Sequence, residues 1–193
     1  MTATDKRKFN MDITEQFCKI VRQRSKENKQ AIGLLSRTGL TGQVMSVLRQ
    51  ELDSMVRVIF LLSQTIDERE HLINLTLTGK KWKLRSNANV TDKQMVELAD
   101  TLNGWTESVY KFGCAFIHLS SFHDYVFNDP FENLGQDEID SIKTHLNNYH
   151  GFPLPTELTM QSISFYLPMV FDKIEGNLEC YIQNLEQRQT TLI

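Results

Sequence analysis

Along nearly all of the chain, apolar residues recur at spacings of three and four, the period of a helix with one buried face. Phe17, Ile20 and Val21, followed by Ile32 and Leu35, predict a first helix over about Ile13–Ser36. Arg37-Thr-Gly-Leu-Thr-Gly42 is a turn, broken by its two glycines. Met45, Leu48, Leu52, Met55, Ile59 and Leu62 then carry a helix over about Thr41–Gln64. Its end, Val58–Leu62, is apolar all round and therefore buried on several sides. A shorter helix, about Asp67–Thr78, stops at Gly79.

The segment 79–90 is a basic connecting loop, and the clearest helix start in the chain follows it. Thr91 and Gln94 form a capping box, and Val90 and Met95 supply a hydrophobic staple. From there Met95, Leu98, Leu102, Trp105, Val109, Phe112, Phe116 and Leu119 hold one seam, which predicts a single long helix over 92–124. Its opposite face is polar as far as Glu107 and then turns to Cys114, Ala115, His118 and Phe122. That change encloses the second half and makes this the expected central helix, with Gly113 and Ala115 admitting a close neighbour. Asn128-Asp-Pro130 ends the region. Gln136–Tyr149 reads as a short amphipathic helix with Asp137, Glu138 and Asp140 near its positive end and Gly151 closing it. The last helix runs from about Thr156 to Gln187, with Pro168 expected to kink or split it. There is no repeat, no strand pattern and no second domain. The expected fold is all-α: one helical bundle of about five to seven helices over residues 1–193, with 1–12 flexible.

At 193 residues, 40% hydrophobic and 23% charged, the composition is that of one soluble globular domain. No apolar run approaches the roughly 18 residues of a membrane span, and the start, Met1–Lys8, has no apolar core behind it to serve as a secretory signal. Cys18, Cys114 and Cys180 are odd in number and far apart, the usage of reduced, buried thiols in a cytoplasmic protein. Charge sharpens the picture. Residues 1–90 carry 16 Lys/Arg against 9 Asp/Glu, a net +7, whereas residues 91–193 carry 5 against 15, a net −10. Such halves can attract each other within one fold or between two protomers, or present a basic face to nucleic acid. An isologous contact could use both patches twice, so a homodimer is expected.

The candidate chemistry centres on Tyr110–Asp124, an apolar run that reads as buried yet contains His118. A buried imidazole is either a satisfied core residue or part of a site. Glu107, Lys111, Cys114 and His118 share one stripe, and Glu107–Lys111 has the spacing of a surface ion pair. Lys111 and His118 are two turns apart, about 10 Å along the axis, so a phosphate between them could touch both. Arg49, Asp53 and Arg57 recur every four residues beside the seam of the second helix. They are either a boundary salt bridge or, if that helix lies antiparallel to the His118 helix, a source of positive charge for it. In the loop, Lys80, Lys81, Lys83 and Arg85 surround Trp82, a combination that suits backbone phosphate plus base stacking, or a solvated connector whose indole packs on the bundle. Arg22, Lys26 and Lys29 line one face of the first helix, the pattern of a wet face. Cys18 and Cys180 read as core filling, and His123, His145 and His150 have no metal-like spacing, so no metal or cofactor is expected.

Residues 31–63 and 109–125, "AIGLLSRTGLTGQVMSVLRQELDSMVRVIFLLS" and "VYKFGCAFIHLSSFHDY", together resemble the HEPN superfamily, in particular its abortive-infection-like bacterial helical proteins. The resemblance covers about half the chain, and His118 matches the family's helix histidine; the arginine expected four to six residues before it is replaced by Lys111, seven before. The resemblance implies a helical protein acting on or binding RNA in bacterial stress or phage defence, as a metal-independent ribonuclease with His118 as its proton carrier; the helix positions offer Lys111 and Arg57 or Arg49 as its charge partners. The alternative is a non-catalytic helical module that binds a neutralising or regulatory protein.

Overall fold

The computed structural model describes residues 12–188, so the expected flexibility of 1–11 falls outside the described residues. Asp12 is ordered, its carboxylate capping the first helix at Thr14 N. The described residues form eight α-helices: α1 Ile13–Arg37, α2 Thr41–Leu62, α3 Ile66–Leu77, α4 Asp92–Asn103, α5 Thr106–Ile117, α6 Gln136–His150, α7 Met160–Ser164 and α8 Leu167–Glu186. The all-α bundle is as expected, and the helix count exceeds the expected five to seven because two predicted helices are each divided. No helix among the described residues is long and apolar enough to cross a membrane.

The centre of the bundle is α2, which packs against α1, α4, α5 and α8. Leu48, Leu52, Met55, Val58, Ile59, Leu61 and Leu62 are all enclosed, as the all-round apolar run at its end demands. Gln43 and Gln50 reach solvent, but polar residues on the covered faces are hidden, and each needs a partner. Glu51 is fully buried and accepts from Ser25 Oγ and, at 2.8 Å, from Asn28 Nδ2 of α1. Buried Arg69 of α3 donates from Nε to the Leu61 carbonyl at 3.0 Å and from Nη2 to the Leu62 carbonyl at 3.2 Å, satisfying acceptors that a helix end leaves open.

The long helix expected over 92–124 does not exist as one rod, and it is not central. Gly104 sits in the left-handed region at φ 69° and closes α4, a conformation glycine adopts without penalty. The Asp100 carboxylate then accepts from Glu107 N at 3.0 Å and restarts the chain as α5. This second segment stops at Ile117, where Ser120 Oγ donates to the Ala115 carbonyl at 2.7 Å and a short 3-10 turn, Ser121–Asp124, follows. Thr91 forms the expected capping box with Gln94, and Gly151 closes α6. Pro168 splits the last helix, standing in the first turn of α8, where its missing N–H costs nothing.

The opposite charges of the two halves meet inside one chain. Arg22 of α1 reaches Glu179 (2.8 Å) and Glu186 of α8, Lys29 reaches Glu175 and Asp172, and Arg49 and Arg57 both reach Asp92. The Arg22–Lys29 face read as wet is thus an interhelical seam, and charge complementarity no longer requires a second protomer. Cysteine placement also differs from expectation: Cys18 is buried, Cys114 half-buried and Cys180 exposed on α8. Burial first, then nearby Glu186, pushes the Cys18 thiol up to about 12, so it stays protonated and inert.

Burial also raises the Glu51 carboxyl above its ordinary range, against the pull of the Ser25 and Asn28 hydrogen bonds. Because its folded value lies above the unfolded one, its contribution to stability is full at acid pH and is lost as pH rises through the raised value. Glu51→Gln, neutral throughout, should melt at or above wild type at neutral pH and lose less stability between acid and neutral pH in thermal scans. Glu51→Ala leaves two buried donors unpaired and should cost about 1–3 kcal/mol.

Candidate functional site

The contact between α2 and α5 sets the geometry of every candidate residue. A methyl group on Gly113 would stand 2.7 Å from Arg49 Cβ, so the two helices approach as closely as glycine allows. They run antiparallel: Ser46 Oγ of α2 donates to the Phe116 carbonyl at 3.0 Å, while Arg49, one turn later, lies against Gly113 and Cys114. The arginine side chain is 6% exposed and travels along α5 toward its beginning. Its guanidinium stacks 3.8 Å above the Tyr110 ring, its Nε contacts Cys114 Sγ at 3.4 Å, and Nη2 reaches Asp92 at 3.5 Å. Arg57 binds Asp53 at 3.2 Å and Asp92 at 3.4 Å, with its guanidinium 5.1 Å above the Trp82 indole. Tyr110 Oη completes the cluster by donating to Asp92 at 3.3 Å.

His118 lies at the other end of this contact. It caps the C-terminus of α5 and is exposed, which corrects its expected burial. Its ring makes no hydrogen bond among the described residues. The antiparallel packing required for Arg49 to serve it is present, yet the guanidinium points the opposite way, and Arg57 lies further off still. Lys111 is exposed and binds Glu107 at 3.0 Å, and that bond raises its ammonium above the ordinary value. Within one chain the four residues expected around a phosphate are therefore not gathered at one point. Arg49 and Arg57 serve an ion-paired lock, and His118 stands free.

The basic loop is better defined than a connector. Leu84 N donates to the Ala88 carbonyl at 2.9 Å and Val90 N to the Trp82 carbonyl at 3.2 Å, with Asn87 at φ 66° making the tight reversal. Trp82 pins this hairpin to the bundle: its indole is buried beside Phe60, and its Nε1 donates to Thr76 Oγ1 at 2.7 Å. The indole is therefore not free for base stacking. Lys80, Lys81, Lys83 and Arg85 remain exposed around a shallow hollow that also takes in His71, Leu75, Leu84 and Asn87. None of the four makes an ion pair among the described residues. Arg85 is oriented by Asp67 and Glu68 of α3, through its guanidinium and its backbone N–H respectively.

Sequence reasoning missed His71, whose Nε2 is 3.0 Å from the Lys83 carbonyl, because nothing local links α3 to a loop twelve residues on. It also missed Asp92 as the carboxylate shared by both arginines; the first-turn acid after a capping box was the only available signal, and it reads equally as dipole support. His145 and His150, whose spacing suggests no metal, line an apolar cavity beneath α6. No three His, Cys, Asp or Glu side chains among the described residues are placed to hold a metal ion. No family model, curated protein or solved structure matches the chain.

Gly113→Ala should destabilise the protein by about 1–3 kcal/mol in urea denaturation, since the added methyl meets a backbone-anchored carbon rather than a flexible tip. A gain in stability, as helix propensity alone would give, would show that α2 and α5 do not touch there.

Proposed function

We propose that the chain is a HEPN-like helical protein that binds RNA through the hollow of the 79–90 loop. The observation that supports this most directly is the set of four exposed cations, Lys80, Lys81, Lys83 and Arg85, held around one hollow by a hairpin that Trp82 pins in place. Arg22, Lys29, Arg49 and Arg57 are paired with carboxylates of α8 or with Asp92, whereas these four, gathered at one place, are left for an external anion. A row of phosphates meets that need without base specificity. The setting of bacterial stress or phage defence rests on the HEPN resemblance alone.

Cleavage, in this reading, depends on His118, whose exposure lets a phosphodiester reach it. The ribose 2′-hydroxyl would attack its own phosphate and expel the 5′-oxygen, with the imidazole moving the proton and a cation offsetting charge on the phosphoryl oxygens. With both arginines turned away and Lys111 paired to Glu107, that offset is small, so cleavage by one chain is expected to be slow. On total RNA in chelator, activity should be weak and should vanish in His118→Ala while the melting temperature holds. Binding should be clear by fluorescence anisotropy on a single-stranded probe. Replacing the four loop cations by alanine should weaken it and flatten the slope of log affinity against log salt by about one for each phosphate no longer neutralised. Unchanged affinity in that variant would overturn the reading.

A second reading, a non-catalytic interaction module, is favoured by the surface next to His118. Ile117, Leu119, Val126 and Phe127 are 47, 96, 74 and 85% exposed within eleven residues of chain, an apolar display a monomer rarely keeps. If this patch joins two copies, light scattering at micromolar concentration should give about twice the 22.4 kDa chain mass, and Phe127→Ser should return it to the monomer mass with the melting temperature unchanged. A monomeric wild type would remove the second copy as the occupant.

A further inference from the structure

The least explained space in the molecule lies under α6. This helix has no buried residue, and its apolar contact with the core is through the half-buried side chains of Ile139, Ile142 and Leu146. Beneath it is a cavity of about 100 Å³, walled by α2, α5 and α8 and almost wholly apolar, with Leu48, Val109, Phe112 and Val170 among its lining. An apolar hole of this kind stays dry, and one of roughly 150 Å³ is large enough to take a benzene ring. At about 100 Å³ the space under α6 is smaller than that, so it suits a short branched chain as it stands and a small ring once α6, a lightly held roof, shifts outward.

The rim has a different chemistry. Lys173 of α8 and His150 at the end of α6 both line the cavity. Lys173 holds its ammonium 3.3 Å from the centre of the Tyr149 ring and has no carboxylate partner among the described residues. Its pKa is lowered by desolvation, and that of His150 by desolvation and then by Lys173, so neither cationic form is fully compensated for its partial burial. An anion at the rim would relieve both, while the cavity would take whatever apolar body carried it.

We propose that this cavity is a binding site for a small carboxylic acid with a compact aromatic or branched apolar body, its carboxylate at Lys173 and His150. The site is separate from the basic loop and independent of the RNA reading. The polar rim sets orientation and the apolar wall supplies affinity, the usual division in small-molecule pockets.

The test uses the full chain in calorimetric titrations and thermal melts with 3-phenylpropionate, isovalerate and the neutral 3-phenylpropionamide. The carboxylates should bind and raise the melting temperature, the amide should bind more weakly, and Lys173→Met should lower carboxylate affinity by about tenfold or more while leaving the amide unchanged. Val170→Phe, which fills the cavity, should abolish binding of all three. Leu146→Phe does the same from the roof and replaces it if Val170→Phe fails to give a cooperative melt. The proposal is overturned if no probe binds, if acid and amide bind alike, or if a folded cavity-filled variant binds as wild type does.

Discussion

Enclosure of most of the surface of α2 is the constraint on which the rest of the structure depends. Where a neighbour covers it, the helix cannot send a polar side chain to water, so each polar residue on those faces dictates something about the neighbour that meets it. Glu51 requires Ser25 and Asn28 on α1. Ser46 donates to the Phe116 carbonyl, and the last carbonyls require the Arg69 guanidinium. Arg49 is the most demanding, needing a flat ring, a carboxylate and a sulfur together, and Tyr110, Asp92 and Cys114 supply them from α5 and α4. Gly113 is the geometric counterpart of that demand, since only a residue without Cβ lets α5 come within reach.

That use of the interior decides where function can lie. A guanidinium fork suited to phosphate is, at Arg49, already filled by the protein's own groups, and Arg57 is shared between two carboxylates. Opposite charges from the two halves of the chain are consumed along the α1–α8 seam in the same way. What remains open lies at the periphery: the pinned cationic hairpin, the exposed end of α5 with His118 among apolar residues, and the lightly roofed space beneath α6. The three are chemically unlike, being respectively cationic, apolar, and apolar with a cationic rim, so each would select a different kind of partner.

Local sequence determined the elements whose cause is local. The spacing-three-and-four seams placed α1, α2, α3 and α6 within a residue or two of their ends, Thr91 and Gln94 capped α4 as their spacing requires, and Pro168 divided the last helix because no helix interior tolerates its ring. The Arg49–Asp53–Arg57 ladder was also visible, since residues four apart on a helix must meet. Only the tertiary structure decided the rest. Periodicity says which face of a helix is covered but not by what, so a continuous seam over 92–124 concealed a break that depends on Asp100 swinging back to Glu107 N across Gly104. Displaced by that break, α5 ends at Ile117 and leaves His118 in water, although the residues around it are those of a core. Trp82 is buried rather than presented because Thr76 and Phe60 lie beneath it, and the roles of Asp92 and Lys173 depend on partners from other helices. Such pairings are properties of surfaces meeting in space, and no local pattern along the chain encodes them.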